Sequence, residues 1–318
     1  MKNSLSPSRP VREVGVRRIN GSAETEEKDC LAAEEPLEIR VEGHSVAIVM
    51  RTPGEDRELA AGFLVTEGLV HAASDLVEIR HQSHCLLPGR NRNSRLKEEI
   101  EAVRGGEDSR IAPETGLSDG NVINVRLRNP ESFDLKKLTR HVFTSSSCGI
   151  CSKASIEAVR QQFPPIEDSC ELEPQVLLGL PQSIASAQET FKRTGGLHAC
   201  ALFDLTGRLL VLREDVGRHN ALDKVVGWAL LGERLPLRRH IVLLSGRASF
   251  EMMQKALAAG IPIVAAISAP SSLAAEFAQD SGQTLVGFLR GERMNIYAGA
   301  GRVRQLARLR QGSAIMTS

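Results

Sequence analysis

Two cysteines separated by two residues, Cys148 and Cys151, stand in TSSSCGICSKASIEAV, residues 144–159. A pair so spaced has three uses. It handles sulfur or electrons as thiolates, it supplies half of a zinc site, or it packs as two inert thiols. Ala154, Ile156, Ala158 and Val159 follow, with no Gly or Pro before Pro164, so the pattern predicts a helix whose start lies at or just after the thiols. The unpaired amides and dipole of a helix start favour a thiolate, the reactive form of cysteine, and Lys153 adds positive charge. A sulfur-handling site is the working expectation.

Four other stretches carry ligand-binding chemistry. Leu244-Ser245-Gly246-Arg247-Ala248-Ser249 joins an apolar run to a helical pattern. Backbone amides at a glycine, a helix dipole and a guanidinium there suit a phosphate. Ser268-Ala269-Pro270-Ser271-Ser272 is a second corner of this kind, which helix capping alone explains as well. Phe288-Leu289-Arg290-Gly291-Glu292-Arg293 sets two cations around a glycine, as in a solvated turn or a pyrophosphate site. Residues 213–224, REDVGRHNALDK, crowd charges at a strand end and helix start. Arg218 and His219 precede an apolar face of Leu222, Val225 and Val226, and a salt-bridged helix start is the plain alternative. His198 reads as a structural histidine. His81, His84 and Cys85 lie close together but make a poor metal set.

These residues need a scaffold, and the sequence describes one. The strands IVLLS and IPIVAAIS are apolar throughout, as in a sheet covered on both faces. Helical patterns alternate with them: residues 174–193, then VGRHNALDKVVGWALLGE, SFEMMQKALAAG and SLAAEFAQDSG, with HACALFD and RLLVLRED as a hairpin. The fold class is α/β, with a three-layer main domain. A smaller α+β domain precedes it, with a hairpin around Glu42-Gly43, a helix after Pro53-Gly54 and a strand at Asn121–Leu127. The expected boundaries are a mobile tail at 1–30, the small domain at 31–130 with a long insertion at 82–120, the main domain at 131–303, and a tail at 304–318. The insertion reads as solvated loop with a short helix.

Composition excludes several classes. The 318 residues are 42% hydrophobic and 25% charged, with a formal net charge of +1. No overall polyelectrolyte character calls for nucleic acid or a membrane surface. Trp228 and Tyr297 are the sole Trp and Tyr, too few for base stacking. The N-terminus lacks the apolar core of a signal peptide and no run is long enough to span a membrane, so a cytoplasmic protein with reduced thiols is expected. Cys30, Cys85, Cys170 and Cys200 then read as ordinary thiols.

Six stretches in order, TSSSCGICSKASI, TGGLHACALFD, REDVGRHNALDK, SGRASFEMMQKA, APSSLA and TLVGFLRGERMNIY, resemble the FdhD family of formate dehydrogenase accessory sulfur carriers. The likeness begins near EEPLEIRVEG and runs to about Tyr297. It implies a cytidine-deaminase-like main domain with a mixed sheet, and a homodimer. It also implies a cytoplasmic sulfurtransferase that takes sulfur from a cysteine desulfurase as a persulfide. The sulfur passes to the molybdenum cofactor, a bis(molybdopterin guanine dinucleotide), before that cofactor enters formate dehydrogenase. Cys148 would be the persulfide carrier and Cys151 its helper. Residues Phe288, Leu289, Arg290, Gly291, Glu292 and Arg293 would bind the cofactor, with the Ser245, Gly246 and Arg247 corner as a second contact. The chain departs from the family pattern in its long 82–120 region and in Ser152, where Gly is expected.

Two rivals belong to other classes. A zinc hydrolase of the deaminase type needs H-x-E ahead of P-C-x-x-C. Here Ala221 stands two after His219 and the CxxC comes first, so no zinc is expected. A chaperone would hold the cofactor without sulfur transfer, and its thiols would be structural.

Overall fold

The computed structural model describes residues 9–81, 120–132, 163–167 and 169–305. The Cys148–Cys151 pair and the helix expected after it, His84 and Cys85, the insertion up to 119 and the C-terminal residues from 306 lie outside these ranges.

Within the stretch 1–30 that polarity predicts as a tail, the described residues form strands. β1 (Val11–Asn20) and β2 (Ala23–Ala32) pair antiparallel across Gly21-Ser22, with Gly21 at φ 62°. Neither face is apolar, so hydrophobic alternation is silent here. Cross-strand charges line the ribbon instead: Arg17 meets Glu24 at 3.2 Å and Arg18 meets Glu27 at 2.8 Å. The glycine-first pair Gly21-Ser22 is the hairpin signal in this stretch.

The small sheet follows expectation. β3 (Glu35–Val41) and β4 (His44–Arg51) turn at Glu42 and Gly43, both with positive φ. β5 (Leu76–His81) and β6 (Val122–Leu127) complete the order β4-β3-β6-β5, with β6 parallel to β3. Helix α1 (Asp56–Thr66) shares a core with this sheet through Leu59, Leu64, Leu37, Ile39, Ile123 and Val125.

The helical pattern at 174–193 resolves into α2 (Pro174–Ala187) and α3 (Glu189–Thr194), broken at Gln188, where ψ is 84°. The break aims the start of α3 at the next hairpin: the amides of Thr190 and Phe191 donate to the Glu214 carboxylate at 2.9 and 2.8 Å. Gly195, at φ 66°, ends α3.

The large sheet comprises β7 (His198–Asp204), β8 (Leu209–Asp215), β9 (His240–Leu244), β10 (Ile263–Ala266), β11 (Thr284–Arg290) and β12 (Arg293–Ala298). Their order is β12-β11-β10-β9-β7-β8, with β9, β10 and β11 parallel and the remaining pairings antiparallel, so the sheet is mixed. Helices α4 (Arg218–Leu231), α5 (Phe250–Ala258) and α6 (Ser272–Asp280) connect the strands. Cys200, Leu202, Val242 and Val264 join the core that holds these three helices. Their strand neighbours Ala201, Phe203, Ile241 and Ile263 join a second core with Leu177, Leu180 and Ile184 of α2. Alternation therefore vanishes from the sequence because both faces are buried.

The two sheets are joined by helices at backbone contact. A Cβ added at Gly62 of α1 would lie 1.7 Å from the Asp223 carbonyl oxygen, and one at Gly227 of α4 would lie 1.8 Å from that of Glu58. Only glycine permits this approach. One core cluster runs from the small sheet through α1 and α4 to the large one. Among the described residues no helix is long and apolar enough to cross a membrane.

Candidate functional site

Because β9, β10 and β11 are parallel, their carboxyl ends share one edge of the sheet, where open α/β sheets place ligands. Backbone bonds hold the three following corners side by side. Ser271 N donates to Ala248 O at 3.0 Å and Phe288 N to Ser268 O at 3.1 Å. The Arg290 Nε reaches the Ile267 carbonyl at 2.9 Å. The Ser245–Arg247 and Phe288–Arg293 stretches thus flank the Ser268–Ser271 corner.

The third stretch is a tight hairpin. Arg290 pairs in register with Arg293 across Gly291-Glu292, and Gly291 has φ 55°. Like charges directly opposite on a sheet repel. Two exposed guanidinium groups so held are an invitation to an anion. Phe288 has φ 52° and is 39% exposed, an unusual position for an aromatic residue. Leu289 differs from its neighbours: its side chain is buried in the second core, so it anchors the loop from behind. Glu292 and Arg293 are exposed.

The antiparallel β7 begins at this same edge. Ser245 N donates to Ala199 O at 2.9 Å, and Ala199 N donates to Ser245 Oγ at 2.8 Å. This pins Ser245 to β7 and leaves its hydroxyl proton free to donate. Gly246 lies against His198, where an added Cβ would stand 3.1 Å from Nδ1. Arg247 is exposed.

His198 pairs in register with Asp215 at the end of β8. Asp215 is fully buried. It accepts from Gly217 N at 2.8 Å, Asn220 Nδ2 at 2.9 Å and Thr52 N at 3.2 Å, and pairs with buried Lys224 at 2.9 Å. Lys224 also donates to Thr52 O at 3.1 Å. These bonds fix the first turn of α4 and lock it to the β4–α1 junction. Arg218 and His219 occupy that first turn, and His219 Nε2 sits 2.8 Å from Glu251 Oε2 on α5.

Sequence reasoning flagged residues 213–224 and His198 without giving them a ligand. Burial first, then Arg218 and His219, push the His198 pKa below its ordinary value, against the pull of Asp215. His219 Nε2, 2.8 Å away, holds the Glu251 carboxyl below its usual range. Arg218 Nε and Ser249 Oγ are buried and lack a partner among the described residues. Glu251 was missed because it falls on an ordinary helical pattern. The described residues hold no group of three or more His, Cys, Asp or Glu placed to bind a metal.

An FdhD/NarQ family model matches residues 32–304. The chain belongs to the FdhD/NarQ family. Relatives include the "Sulfur carrier protein FdhD" of Mycolicibacterium paratuberculosis, 48% identical over 277 residues, which are 86% of this chain and 92% of that protein. The protein of the same name from Streptomyces avermitilis is 47% identical over 304 residues, 93% of this chain and 97% of the relative. A crystal structure described as that of a formate dehydrogenase accessory protein from Desulfotalea psychrophila aligns with a TM-score of 0.65 at 25% identity. It covers 92% of this chain and 99% of the other. The FdhD/NarQ match takes in both sheets, the three corners and the Cys148–Cys151 stretch.

Proposed function

We propose that this chain is a cytoplasmic sulfur carrier that serves formate dehydrogenase. What carries the reading is its extensive identity with relatives named sulfur carrier proteins. The Cys148 thiolate attacks the outer sulfur of a cysteine desulfurase persulfide. A new S–S bond forms at Cys148 as the desulfurase S–S bond breaks and its thiolate leaves. The protein acts as a sulfurtransferase in this sense, carrying sulfur as Cys148–S–SH.

The acceptor is the molybdenum cofactor, a bis(molybdopterin guanine dinucleotide), which is the substrate here. Its diphosphates suit the strand-end edge. The paired Arg290 and Arg293, the Gly246 corner with Arg247, and the unpartnered donor on Arg218 fit an anionic ligand. Attack of the Cys151 thiolate on the Cys148 sulfur closes a disulfide and releases the outer sulfur as hydrosulfide to the cofactor. Cellular thiols then reduce the disulfide. Formate dehydrogenase receives the sulfurated cofactor. The same reading extends to a homodimer, to a cytidine-deaminase-like relation for the large-sheet region, and to the domain limits near 31–130 and 131–303.

Rescue of formate dehydrogenase in a strain lacking this protein tests the proposal. Cys148→Ala should abolish rescue. Full rescue by the Cys148→Ser, Cys151→Ser double variant would sink sulfur transfer and leave a cofactor-holding chaperone. Mass mapping after incubation with a desulfurase and cysteine should find one added sulfur on the peptide bearing Cys148.

A further inference from the structure

We infer that Arg234, Arg238 and Arg239, with Arg208 and the exposed Leu231, form a docking surface for an acidic face of a partner protein, and that this partner is the sulfur donor. Only the naming of the donor rests on the reading above.

The surface lies at the end of the large sheet opposite the three corners. β8 is parallel to β9, because each pairs antiparallel with β7. Helix α4 starts beyond the carboxyl end of β8, so it ends toward the amino end of β9. Its last residue, Leu231, is 38% exposed. The chain returns to β9 through Arg234, Arg238 and Arg239, all exposed. Asp204 stands in register with His240, and its amide donates to Arg208 O at 3.2 Å, which brings Arg208 beside this loop.

The charge there is unbalanced. Arg208 is held by Asp204 at 3.0 Å. Arg234 lies over Trp228, 4.3 Å from the ring centroid, a contact that orders the guanidinium without neutralising it. Arg238 and Arg239 make no ion pair among the described residues, and Glu233 is the one carboxylate in the loop. The whole chain carries only +1, so the surplus is local. Guanidinium groups around an exposed leucine and a tryptophan are the composition of a protein interface. Glu233 and Arg239 have φ 54° and 63°, left-handed backbone that is uncommon outside glycine and that gathers at functional sites. A nucleic acid asks for a continuous cationic track, which Leu231, Glu233 and Pro236 interrupt here.

The donor fits this end of the sheet better than the client does. Ile166 N donates to Ser281 O at 2.9 Å, just before β11, whose register with β10 and β9 puts Ser281 at the same edge as Arg239. Phe163 stands twelve residues after Cys151, so the thiol stretch is tethered at this edge. The cofactor is assigned to the opposite edge, which leaves this one for the protein that loads Cys148.

Calorimetry of a cysteine desulfurase binding to the full chain tests the surface. The Arg238→Glu, Arg239→Asn double variant should weaken binding by at least about fivefold at low salt, as for exposed charges at an interface rim. Asparagine tolerates the left-handed backbone at 239, so the loop keeps its course. Added salt should weaken the parent more than the variant. If the double variant fails to fold, Arg234→Gln must weaken binding in the same direction. Equal affinity of variant and parent overturns the surface, and sulfur still found on the Cys148 peptide would leave the carrier reading standing. Weakened binding by the variant, with no sulfur ever found on the parent's Cys148 peptide, keeps the surface and removes the carrier reading. No desulfurase binding to the parent overturns the surface, as does a double variant that loses single-stranded RNA in place of the desulfurase.

Discussion

Helices α5 and α6 start at neighbouring corners of one sheet edge, each from a serine in extended conformation, and only one of those serines caps its helix. Ser271 accepts from Ala274 N at 3.2 Å, while Ser249 makes no side-chain cap and its hydroxyl is buried without a partner. Beside the α6 corner, Pro270 packs against Gly287, where a Cβ would come within 2.7 Å of the proline ring. Beside the α5 corner stand His198, Gly246, Arg218 and His219 with donors to spare. The same turn chemistry has been closed for stability at one corner and left open at the next. That contrast separates two corners that read alike in sequence.

The largest effect should come from the support beneath the open corner. The wall bearing Arg218 and His219 hangs on Asp215, whose carboxylate ties Gly217, Asn220 and Thr52 to Lys224. Asp215→Ala leaves the buried Lys224 ammonium only the half-exposed Glu55 carboxylate, 3.6 Å away, as counter-charge, and denaturant titration should show a loss of about 3 kcal/mol. A loss below about 1 kcal/mol would mean that the carbonyls of Thr52 and Glu214 suffice for Lys224, and that the open corner does not depend on this pair.

Sequence legibility follows the same physics. β9 and β10 are evident because strands buried on both faces are apolar throughout. The β1–β2 ribbon was not legible by alternation, since charge pairs line it in place of an apolar face. Within the candidate site, Arg290, Arg293, Ser245 and Gly246 were legible as strand-end residues. Leu289 stands in the site by the family resemblance, and its side chain packs in the core. Glu251 was invisible because its role depends on α5 lying beside α4, a tertiary fact with no local signal. The partnering of Asp215 by Thr52 spans 163 residues and is invisible for the same reason.

Titration separates the corners at intermediate magnitude. Among the described residues no histidine stands at the α6 corner, whereas His198 borders the open one. Its folded pKa lies below 6.5, chiefly by burial and then by Arg218 and His219. The unfolded chain therefore takes up a proton near 6.5 that the folded chain resists. Stability is full above that pH and falls as the pH drops from 6.5 toward the folded value. His240, also lowered by burial, adds to the slope elsewhere in the molecule. His198→Gln should remove the His198 share of the acid slope between pH 7 and pH 5 in denaturant midpoints, within about the ordinary histidine range. An unaltered slope would assign it to other groups such as His240 and leave the open corner electrostatically indistinct.

The smallest effect is the sharpest comparison. Ser271→Ala removes a working cap and should cost about 1 kcal/mol. Ser249→Ala removes a hydroxyl that bonds to nothing and is already desolvated, so it should change stability by under about 0.5 kcal/mol and can stabilise, because an unmet buried polar group is lost. Ligand binding should reverse the ranking: Ser271→Ala should leave diphosphate affinity unchanged, while Ser249→Ala should lower it, because a free donor at the α5 corner is lost. Equal stability losses for the two serines would mean that Ser249 caps its helix in solution, and the open corner would then reduce to a second closed one.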